Sequence, residues 1–392
     1  MKAESYLSRG VSPTKDDVKK AVANQSKGLF PGSFCKIISD LSGDQLWCSA
    51  VHADGAGTKS SAAYLMYKIT GETSWFRGIA QDSLVMNTDD LICIGAVDNF
   101  LVSNTIGRNA HRVDAECLSQ IIGGYDTFIG SMAEHGVNIE MTGGETADVG
   151  DLVRTVICDS TVVVRLKRDN VVNAANIKPG HVIVGLSSSG MTSYENTENS
   201  GIGSNGLTAA RHLLLHPDYR DMYPETYADT MPAGKAYCGK YHVGDKLPGS
   251  SLTAGEAVLS PTRTYLPVMR EIIANYNDKI SGIIHCTGGG QVKCRDFGSS
   301  LRYVKDNLFE RPAIFDAIYE SGDVGDQEMY QIFNMGHRME IYCEESVAAK
   351  IIATSAKYKL EAKVIGYTEQ VKSDNKENQV IIRDRGQEFM FA

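Results

Sequence analysis

The six residues DGAGTK, at positions 54–59, combine the residue types that could bind a nucleotide phosphate. They follow an apolar run at 46–53 that we predict to be a strand, and they lead into a helical pattern. Small residues let backbone amides approach a phosphate, Lys59 supplies a positive charge, and Asp54 can hold the magnesium ion that accompanies a nucleotide. The spacing is not that of a Walker A loop, and no GxGxxG motif follows a strand.

Two more glycine-rich stretches are predicted to be turns after strands, GGET at 143–146 and TGGG at 287–290. A turn of this kind either contacts phosphate or is only a tight corner between a strand and a helix. The acids Asp54, Asp90 and Glu145 lie within or near such turns or beside apolar runs, and carboxylates are ligands that Mg²⁺ prefers. A single aspartate can equally be a helix cap or a solvated charge. His285 precedes TGGG, where a histidine is either a core residue or a catalyst.

Composition excludes several classes of protein. The net charge of −9 argues against non-specific binding to nucleic acid or anionic lipid. The nine cysteines occur singly, without a CxxC pair, which is typical of reduced thiols in the cytosol. HExxH and GxSxG motifs, a signal-peptide core and an apolar run of membrane-spanning length are all absent from the sequence. We predict a cytoplasmic protein with a small-molecule substrate and with no nucleic-acid or membrane partner.

The length of 392 residues predicts two domains. The polar stretch NAANIKPG at 173–180 marks the boundary, giving domains 1–172 and 173–392. Strands alternate with helices in both halves, which indicates an α/β fold. Helices are predicted at 60–69, 79–94, 111–135 and 262–276, the last of them capped by Ser260 and Pro261. Residues 216–255 have little periodicity and are predicted to be a long irregular segment.

A set of phrases in the chain resembles the aminoimidazole ribonucleotide synthetase family, also called the phosphoribosylformylglycinamidine cyclo-ligase or PurM family. The phrases keep the order of the family and span nearly the whole chain. They are SYLSRGV (5–11), DGAGTK (54–59), DDLICIGA (89–96), GGETAD (143–148), LSSSG (186–190), SNGLTAAR (204–211), LSPTRTYL (259–266), HCTGGG (285–290) and EMYQIFNMG (328–336).

This resemblance implies ATP-dependent ring closure of formylglycinamidine ribonucleotide, a phosphorylated ribonucleotide, to aminoimidazole ribonucleotide in purine biosynthesis. It also implies a homodimer with a two-domain α/β (α+β) fold. In that fold the first domain contributes strands to a β-barrel formed by the dimer, and the second domain is a mixed sheet flanked by helices.

The resemblance also implies the site residues. The magnesium–triphosphate site would be formed by Asp54, Lys59, Asp90 and Glu145, with Asp54, Asp90 and Glu145 as the metal ligands. Backbone contacts to ATP would come from Gly55, Gly57, Thr58, Gly143 and Gly144. Substrate would be bound by Ser204, Asn205, Gly206, Thr287, Gly288, Gly289 and Gly290. The residues Lys59, Asp90 and His285 would take part in catalysis.

The chain departs from the family pattern at several positions on the substrate side. Asp89 stands where the family usually has asparagine, Ser103 replaces an aspartate, Ile202 and Gly203 stand where a histidine is common, and GHRM (336–339) replaces GVGM. These departures keep two alternatives open. One is another ATP-using member of the superfamily, such as a selenophosphate synthetase, a thiamine-monophosphate kinase or a hydrogenase-maturation ATPase. The other is a nucleotide-binding relative without catalytic activity.

Overall fold

The computed structural model describes residues 4–12, 16–371 and 377–392, and it shows a mixed α/β protein built on two β-sheets. The expected α/β class is therefore confirmed. The strands are β1 (Ile37–Ser39), β2 (Trp47–Gly55), β3 (Phe100–Arg108), β4 (Ile139–Asp148), β5 (Val156–Lys167), β6 (Val182–Ser187), β7 (Ile280–His285), β8 (Leu301–Lys305), β9 (His337–Cys343), β10 (Ala362–Gln370), β11 (Gln379–Asp384) and β12 (Gln387–Phe391). The helices are α1 (Glu4–Leu7), α2 (Asp16–Ala21), α3 (Lys59–Thr70), α4 (Arg77–Ile92), α5 (Ala115–Glu134), α6 (Leu207–Leu214), α7 (Asp218–Met222), α8 (Ala254–Leu259), α9 (Leu266–Tyr276), α10 (Ala313–Tyr319), α11 (Asp326–Ile332) and α12 (Glu345–Lys357).

The first sheet has the strand order β1-β2-β5-β3-β4, and α4 and α5 cover one of its faces. Helix α5 begins where Asp114 accepts hydrogen bonds from two backbone amides of its first turn. Its apolar stripe, predicted from residues three to four apart, is buried against the sheet and α4. Helix α4 is buried at nearly every position because it lies between the first sheet and elements of the second half. This position brings its aspartates to the junction of the two halves.

The other face of the first sheet is open. Val51, Val163 and Leu101 lie opposite one another on β2, β5 and β3 and form an apolar row across it. Val51 is 50% exposed and Leu101 48%, and Ile157, six residues from Val163 along β5, is 41% exposed, which is unusual for large apolar side chains of one sheet.

The second sheet has the order β12-β11-β8-β10-β6-β9-β7. All of its neighbouring pairs are antiparallel except β11 with β8, so the predicted mixed sheet is confirmed. Every residue of β9 is buried, and this strand carries His337, Arg338 and Glu340 into the interior. Three charged or titratable side chains on one buried strand must find partners there.

The GGET stretch is not a turn, which corrects the sequence prediction. Residues 143–146 lie inside β4, a strand of ten residues. Its glycines serve strand pairing instead. Gly143 has φ = +109° beside a register shift between β3 and β4, and a Cβ atom on Gly144 would lie 1.7 Å from Asn104 Oδ1.

Two other expectations differ from the structure. The helix predicted from residue 262 begins at Leu266, and the residues before it form a segment in which the Thr262 amide donates to Asp82 Oδ1 at 2.7 Å. Segment 216–255 is largely irregular, as predicted, but it contains α7 and ends in α8. Helix α8 starts with a capping box between Thr253 and Glu256 that the sequence reasoning overlooked.

The first two helices pack on the second half of the chain. Arg9, after α1, pairs with Asp323 at 2.8 Å, and Lys19 of α2 pairs with Asp296 at 3.1 Å. These contacts hold α2 over the junction between the halves. None of the helices in the described part of the chain has the length and apolar character that crossing a bilayer requires. The division at residue 172 stays a prediction.

Candidate functional site

A cavity of about 470 Å³ lies at the junction, where the end of β2 meets the TGGG stretch. Of the predicted site residues, its lining contains Asp54, Asp90, Thr287, Gly288 and Gly289. The lining also contains three basic side chains and one further acid, which are Lys19, Lys293, Arg295 and Asp296. This size falls in the range of small-molecule sites, and the wall offers both cations for phosphate and carboxylates for a metal.

Asp90, on the last turn of α4, is the centre of the polar groups below the cavity. His285 Nδ1 lies 2.6 Å from Asp90 Oδ1, and His52 Nε2 lies 3.1 Å from Asp90 Oδ2. Burial opposes ionisation of this carboxyl group, but the hydrogen bonds from His285 and His52 outweigh it and hold the pKa of Asp90 well below its usual range. Asp90 is therefore a carboxylate with one histidine on each oxygen.

His52 is held as a double hydrogen-bond donor, a feature that the sequence did not reveal. The Asn87 Nδ2 atom donates to three backbone carbonyls, of Asp54, Ser83 and Ser160, so the Asn87 oxygen must face His52 Nδ1, 2.9 Å away. Burial disfavours the charged ring, but bonding to Asp90 prevails and raises the pKa of His52 to about 9. At neutral pH the cavity is thus lined by an imidazolium.

We predict that the free energy of unfolding falls as pH rises from about 6.5 to about 9. Over this range the folded protein keeps the proton on His52 while the unfolded chain loses it, so the proton's contribution to stability disappears. The loss is up to about 3 kcal/mol, from 1.36 kcal/mol per pKa unit. Urea unfolding between pH 6 and 9.5 measures it. His52→Gln should flatten this slope and His111→Gln, an exposed control, should not; identical slopes in all three proteins would contradict the assignment.

Arg338 is a second residue that sequence reasoning missed. It is 2% exposed, and its Nη1 donates to His285 Nε2 at 2.7 Å while its Nη2 donates to Asp89 Oδ2 at 2.7 Å. A guanidinium has no acceptor, so His285 Nε2 must carry the lone pair and His285 Nδ1 must donate to Asp90. Arg338 therefore fixes both the orientation and the tautomer of His285. Two departures from the family pattern, Asp89 and Arg338, are thus partners of each other.

His337, in the same GHRM phrase, belongs to a separate buried network. Its Nε2 lies 3.0 Å from Glu340 Oε1, and Lys305 also binds Glu340. Burial opposes ionisation of Glu340, but the Lys305 charge and the His337 hydrogen bond lower the pKa of Glu340 to about 2. This network supports β9 from below and does not line the cavity.

Lys59 is fully buried and does not line the cavity. Its ammonium lies 2.8 Å from Asp82 Oδ1, donates to the Gly203 carbonyl at 3.1 Å and also donates to the Ser260 carbonyl. Burial lowers the pKa of Lys59, although the Asp82 charge opposes this. Lys59 thus ties α3 to the second half, and its predicted contact with a triphosphate would require it to exchange these partners.

The SNG stretch is joined to the TGGG stretch. Asn205 Nδ2 donates to Thr287 Oγ1 at 2.7 Å, and Ser204 Oγ donates to Asp82 Oδ1 at 3.1 Å. Gly206 has φ = +77°, and a Cβ atom there would lie 2.6 Å from Phe333, so glycine is required at this start of α6. The predicted substrate-binding residues of the two stretches are therefore neighbours.

Glu145 is the predicted metal ligand that lies far from Asp54 and Asp90 within one chain. On β4 it pairs with Thr105 of β3. Thr105 in turn pairs with Asp159 of β5, and Asp159 pairs with Gly55 of β2. Three strand spacings separate Glu145 from the end of β2, or about 14 Å. Gly143 and Gly144 lie on the same distant strand. Their roles, like those of Gly55, Gly57 and Thr58, stay predictions.

The donors present fit a hard divalent cation. Asp54 and Asp90 both line the cavity with oxygen ligands of the kind Mg²⁺ takes. A third acid, Asp159, was not singled out from the sequence. Burial and, to a smaller extent, the charge of Asp54 raise the pKa of Asp159. A cation between these acids would relieve that repulsion.

Two family models match the chain. The N-terminal domain of AIR synthase related protein matches residues 37–164, and its C-terminal domain matches residues 178–375. The phosphoribosylformylglycinamidine cyclo-ligase of Methanocaldococcus jannaschii is 31% identical over 314 residues, which cover 80% of this chain and 76% of the relative. The enzyme of that name from Methanococcus maripaludis (strain C7) is 31% identical over 391 residues, which cover 96% of this chain and 97% of the relative.

Solved structures share the fold. T. maritima PurL complexed with FGAR superposes with a TM-score of 0.57 at 14% sequence identity over 99% of this chain, which spans about half (51%) of that PurL chain. A chain of the HypE–HypF complex gives a TM-score of 0.54 at 12% identity, covering 96% of this chain and 98% of that one. At these identities the similarity concerns the fold alone.

Proposed function

Because the chain belongs to the AIR synthase related family, we propose that it is an ATP-dependent cyclo-ligase that converts formylglycinamidine ribonucleotide to aminoimidazole ribonucleotide. ATP would be consumed and ADP and phosphate released. The observation that carries this proposal is the cavity in which Asp54 and Asp90 of one half face the TGGG stretch of the other. A nucleotide and a phosphorylated substrate bound on these two sides would have their reacting groups at the junction.

In this proposal the formyl oxygen of the substrate receives the terminal phosphoryl group of ATP, which makes it a leaving group. A substrate nitrogen then attacks the same carbon and closes the ring as phosphate departs. The protein's task is to align the two substrates and to neutralise charge. Asp54 and Asp90 would hold Mg²⁺, which when bound neutralises triphosphate charge.

The substrate phosphate would lie at the TGGG stretch. Gly289 and Gly290 have positive φ values, +105° and +53°, which turn the chain into the 3₁₀ segment Gly290–Asp296. Lys293 and Arg295 of that segment line the same cavity and supply positive charge. The His52 imidazolium lies across from them, beside Asp90, where it would contact the anionic groups brought together.

We also propose that the protein is a cytoplasmic homodimer that covers the open face of its first sheet. The apolar row of Val51, Val163 and Leu101 supports a partner at this face.

Leu101→Asp should convert the dimer to a monomer, because it introduces a charge into the apolar row. Light scattering after size-exclusion chromatography measures the mass. Leu152→Asp, at a loop position that is 85% exposed, is the matched control and should leave the dimer intact. A dimer that persists with Leu101→Asp would place the interface elsewhere.

The test of the proposed activity is ADP release by the purified protein. Release should require formylglycinamidine ribonucleotide, and aminoimidazole ribonucleotide should appear in equal amounts. Absence of turnover with this substrate would refute the proposal, and binding of both ligands without ADP formation would indicate a relative that has lost catalysis.

One alternative keeps the fold but changes the substrate. A solved structure of the hydrogenase maturation protein HypE is matched over 90% of its chain, whereas PurL is matched over about half. A hydrogenase-maturation ATPase is therefore the second candidate. Rescue of a purine-requiring mutant by this gene supports the cyclo-ligase, and rescue of a hydrogenase-maturation mutant supports the alternative.

A further inference from the structure

The long segment 216–255 brings together three side chains that could bind a metal ion. Its two ends run side by side: the His216 amide donates to the Tyr241 carbonyl at 2.8 Å, and the Tyr241 amide donates to the Leu214 carbonyl at 3.1 Å. This pairing places His242 next to His216. Asp218, at the start of α7, lies between the two imidazole rings.

We propose that His216, Asp218 and His242 form a binding site for a divalent transition-metal ion of the zinc class. The ligand atoms are His216 Nδ1, one Asp218 carboxylate oxygen and His242 Nε2, and all lie within 4.8 Å of one another. Asp218 Oδ2 is 3.3 Å from His216 Nδ1 and 3.3 Å from His242 Nε2. The inference is independent of the proposed cyclo-ligase activity, because the cluster shares no residue with the cavity described above.

Each ring has a nitrogen next to the Asp218 carboxylate that an ion could occupy. His216 Nδ1 accepts a hydrogen bond from the Asp218 amide at 3.3 Å, so an ion would replace that hydrogen bond at its lone pair. His242 Nδ1 lies 3.6 Å from Asp245 Oδ2, so the ring can keep its proton on Nδ1, toward that carboxylate, when Nε2 binds an ion. The charge of the ion would stabilise the Asp218 carboxylate, which lies beside both rings.

The spacing suits tetrahedral coordination. Bonds of about 2.0–2.1 Å at tetrahedral angles put ligand atoms about 3.3 Å apart. The two Asp218 distances have this value, 3.3 Å each. The rings are stacked, with centroids 4.3 Å apart and planes at 24°, so binding must rotate one ring to direct both lone pairs at the ion. The His242 side chain is 48% exposed and packs against the rings of His216 and Tyr219, so this rotation exchanges the stacking contact with His216 for the bond to the ion.

The ligand types select the class of metal. Two imidazoles with one carboxylate suit zinc and its neighbours, whereas Mg²⁺ and Ca²⁺ prefer oxygen throughout. Water would fill the fourth position. A second group of potential metal ligands in the described part of the chain, Cys286, His337 and Glu340, differs because the Lys305 ammonium already binds Glu340 there. An ion at the first cluster would clip α7 to the turn at residues 242–245.

Cobalt titration of the full-length protein, first stripped with EDTA, tests the site. Excess Mg²⁺ is kept present so that the Asp54 and Asp90 carboxylates are not the sites measured. We expect one Co²⁺ per chain with the visible absorption of four-coordinate cobalt, displaced by one equivalent of Zn²⁺. His216→Ala, Asp218→Ala and His242→Ala should each abolish that absorption. Asp245→Ala should lower the association constant about 10- to 100-fold.

His111→Ala is the matched control, since it removes an exposed histidine outside the cluster. It should bind Co²⁺ as the parent protein does. Because the cluster is at the surface, the variants should show unchanged unfolding midpoints without metal, and a raised midpoint with Zn²⁺ only where the cluster is intact. Absence of four-coordinate Co²⁺, equal binding by the parent and the His242→Ala protein, or a thiolate charge-transfer band from cysteine ligation would each overturn the proposal.

Discussion

Asp54→Asn should lower ATP turnover at least about 100-fold while the fold persists. Asp54 ends β2 at the edge of the cavity, and its Oδ1 accepts the Gly55 amide at 2.7 Å. Asparagine keeps the shape and this hydrogen bond, but it removes the negative charge that would hold Mg²⁺ beside the triphosphate. The measurement is ADP formation at saturating formylglycinamidine ribonucleotide with Mg²⁺ varied, and the Mg²⁺ requirement should rise as the rate falls.

Asp126→Asn is the control for loss of one acidic charge, because Asp126 is an exposed residue on α5 away from the cavity. Its turnover and Mg²⁺ requirement should equal those of the parent. Thermal unfolding of the Asp54→Asn protein should match the parent, since Asp54 is exposed and asparagine keeps the hydrogen bond to the Gly55 amide. Undiminished turnover would remove this carboxylate from the metal site and leave Asp90 as the only supported ligand in the cavity.

Arg338→Met should have the largest effect on stability, a loss of about 3–5 kcal/mol. The arginine side chain is buried between Asp89 and His285, so its removal leaves the Asp89 carboxylate uncompensated. Catalysis should fall as well, because nothing then fixes the tautomer of His285 and its hydrogen bond to Asp90. Denaturant unfolding gives the first quantity, and kcat measured well below the unfolding temperature gives the second.

The double variant Asp89→Asn/Arg338→Met separates charge balance from positioning. Removing both charges should restore most of the stability lost in Arg338→Met, a coupling expected only of residues in direct contact. The kcat should stay low, because His285 still lacks its donor. If kcat returns together with stability, Arg338 only balances Asp89 and does not position His285.

The departures from the family pattern weigh less on the substrate side than the sequence indicated. Asp89 and Arg338 pair with each other, and His337 is engaged with Glu340 beneath the cavity. Ile202 is buried, and Ser103 is an exposed residue of β3. The lining of the cavity contains none of the departures Asp89, Ser103, Ile202 and His337.

The sequence alone determined the features that depend on local chemistry. Apolar periodicity predicted α5, and the glycines with an acid and a lysine marked the end of β2 as a phosphate-binding candidate. The ordered phrases indicated the family, which the family models and relatives confirm. Each of these signals lies within a short stretch of consecutive residues, so it can be recognised without knowledge of the fold.

Tertiary structure decided which of these residues act together. Asp90 meets His285 across 195 positions, and Asp89 meets Arg338 across 249. Pairing with β3 drew GGET into a strand, although glycines normally favour a turn. Burial turned Lys59 into a link between the halves, and the hydrogen bond to Asp90 made His52 an imidazolium at the cavity. Desolvation and long-range pairing set these outcomes, and both depend on neighbours that only the folded chain supplies.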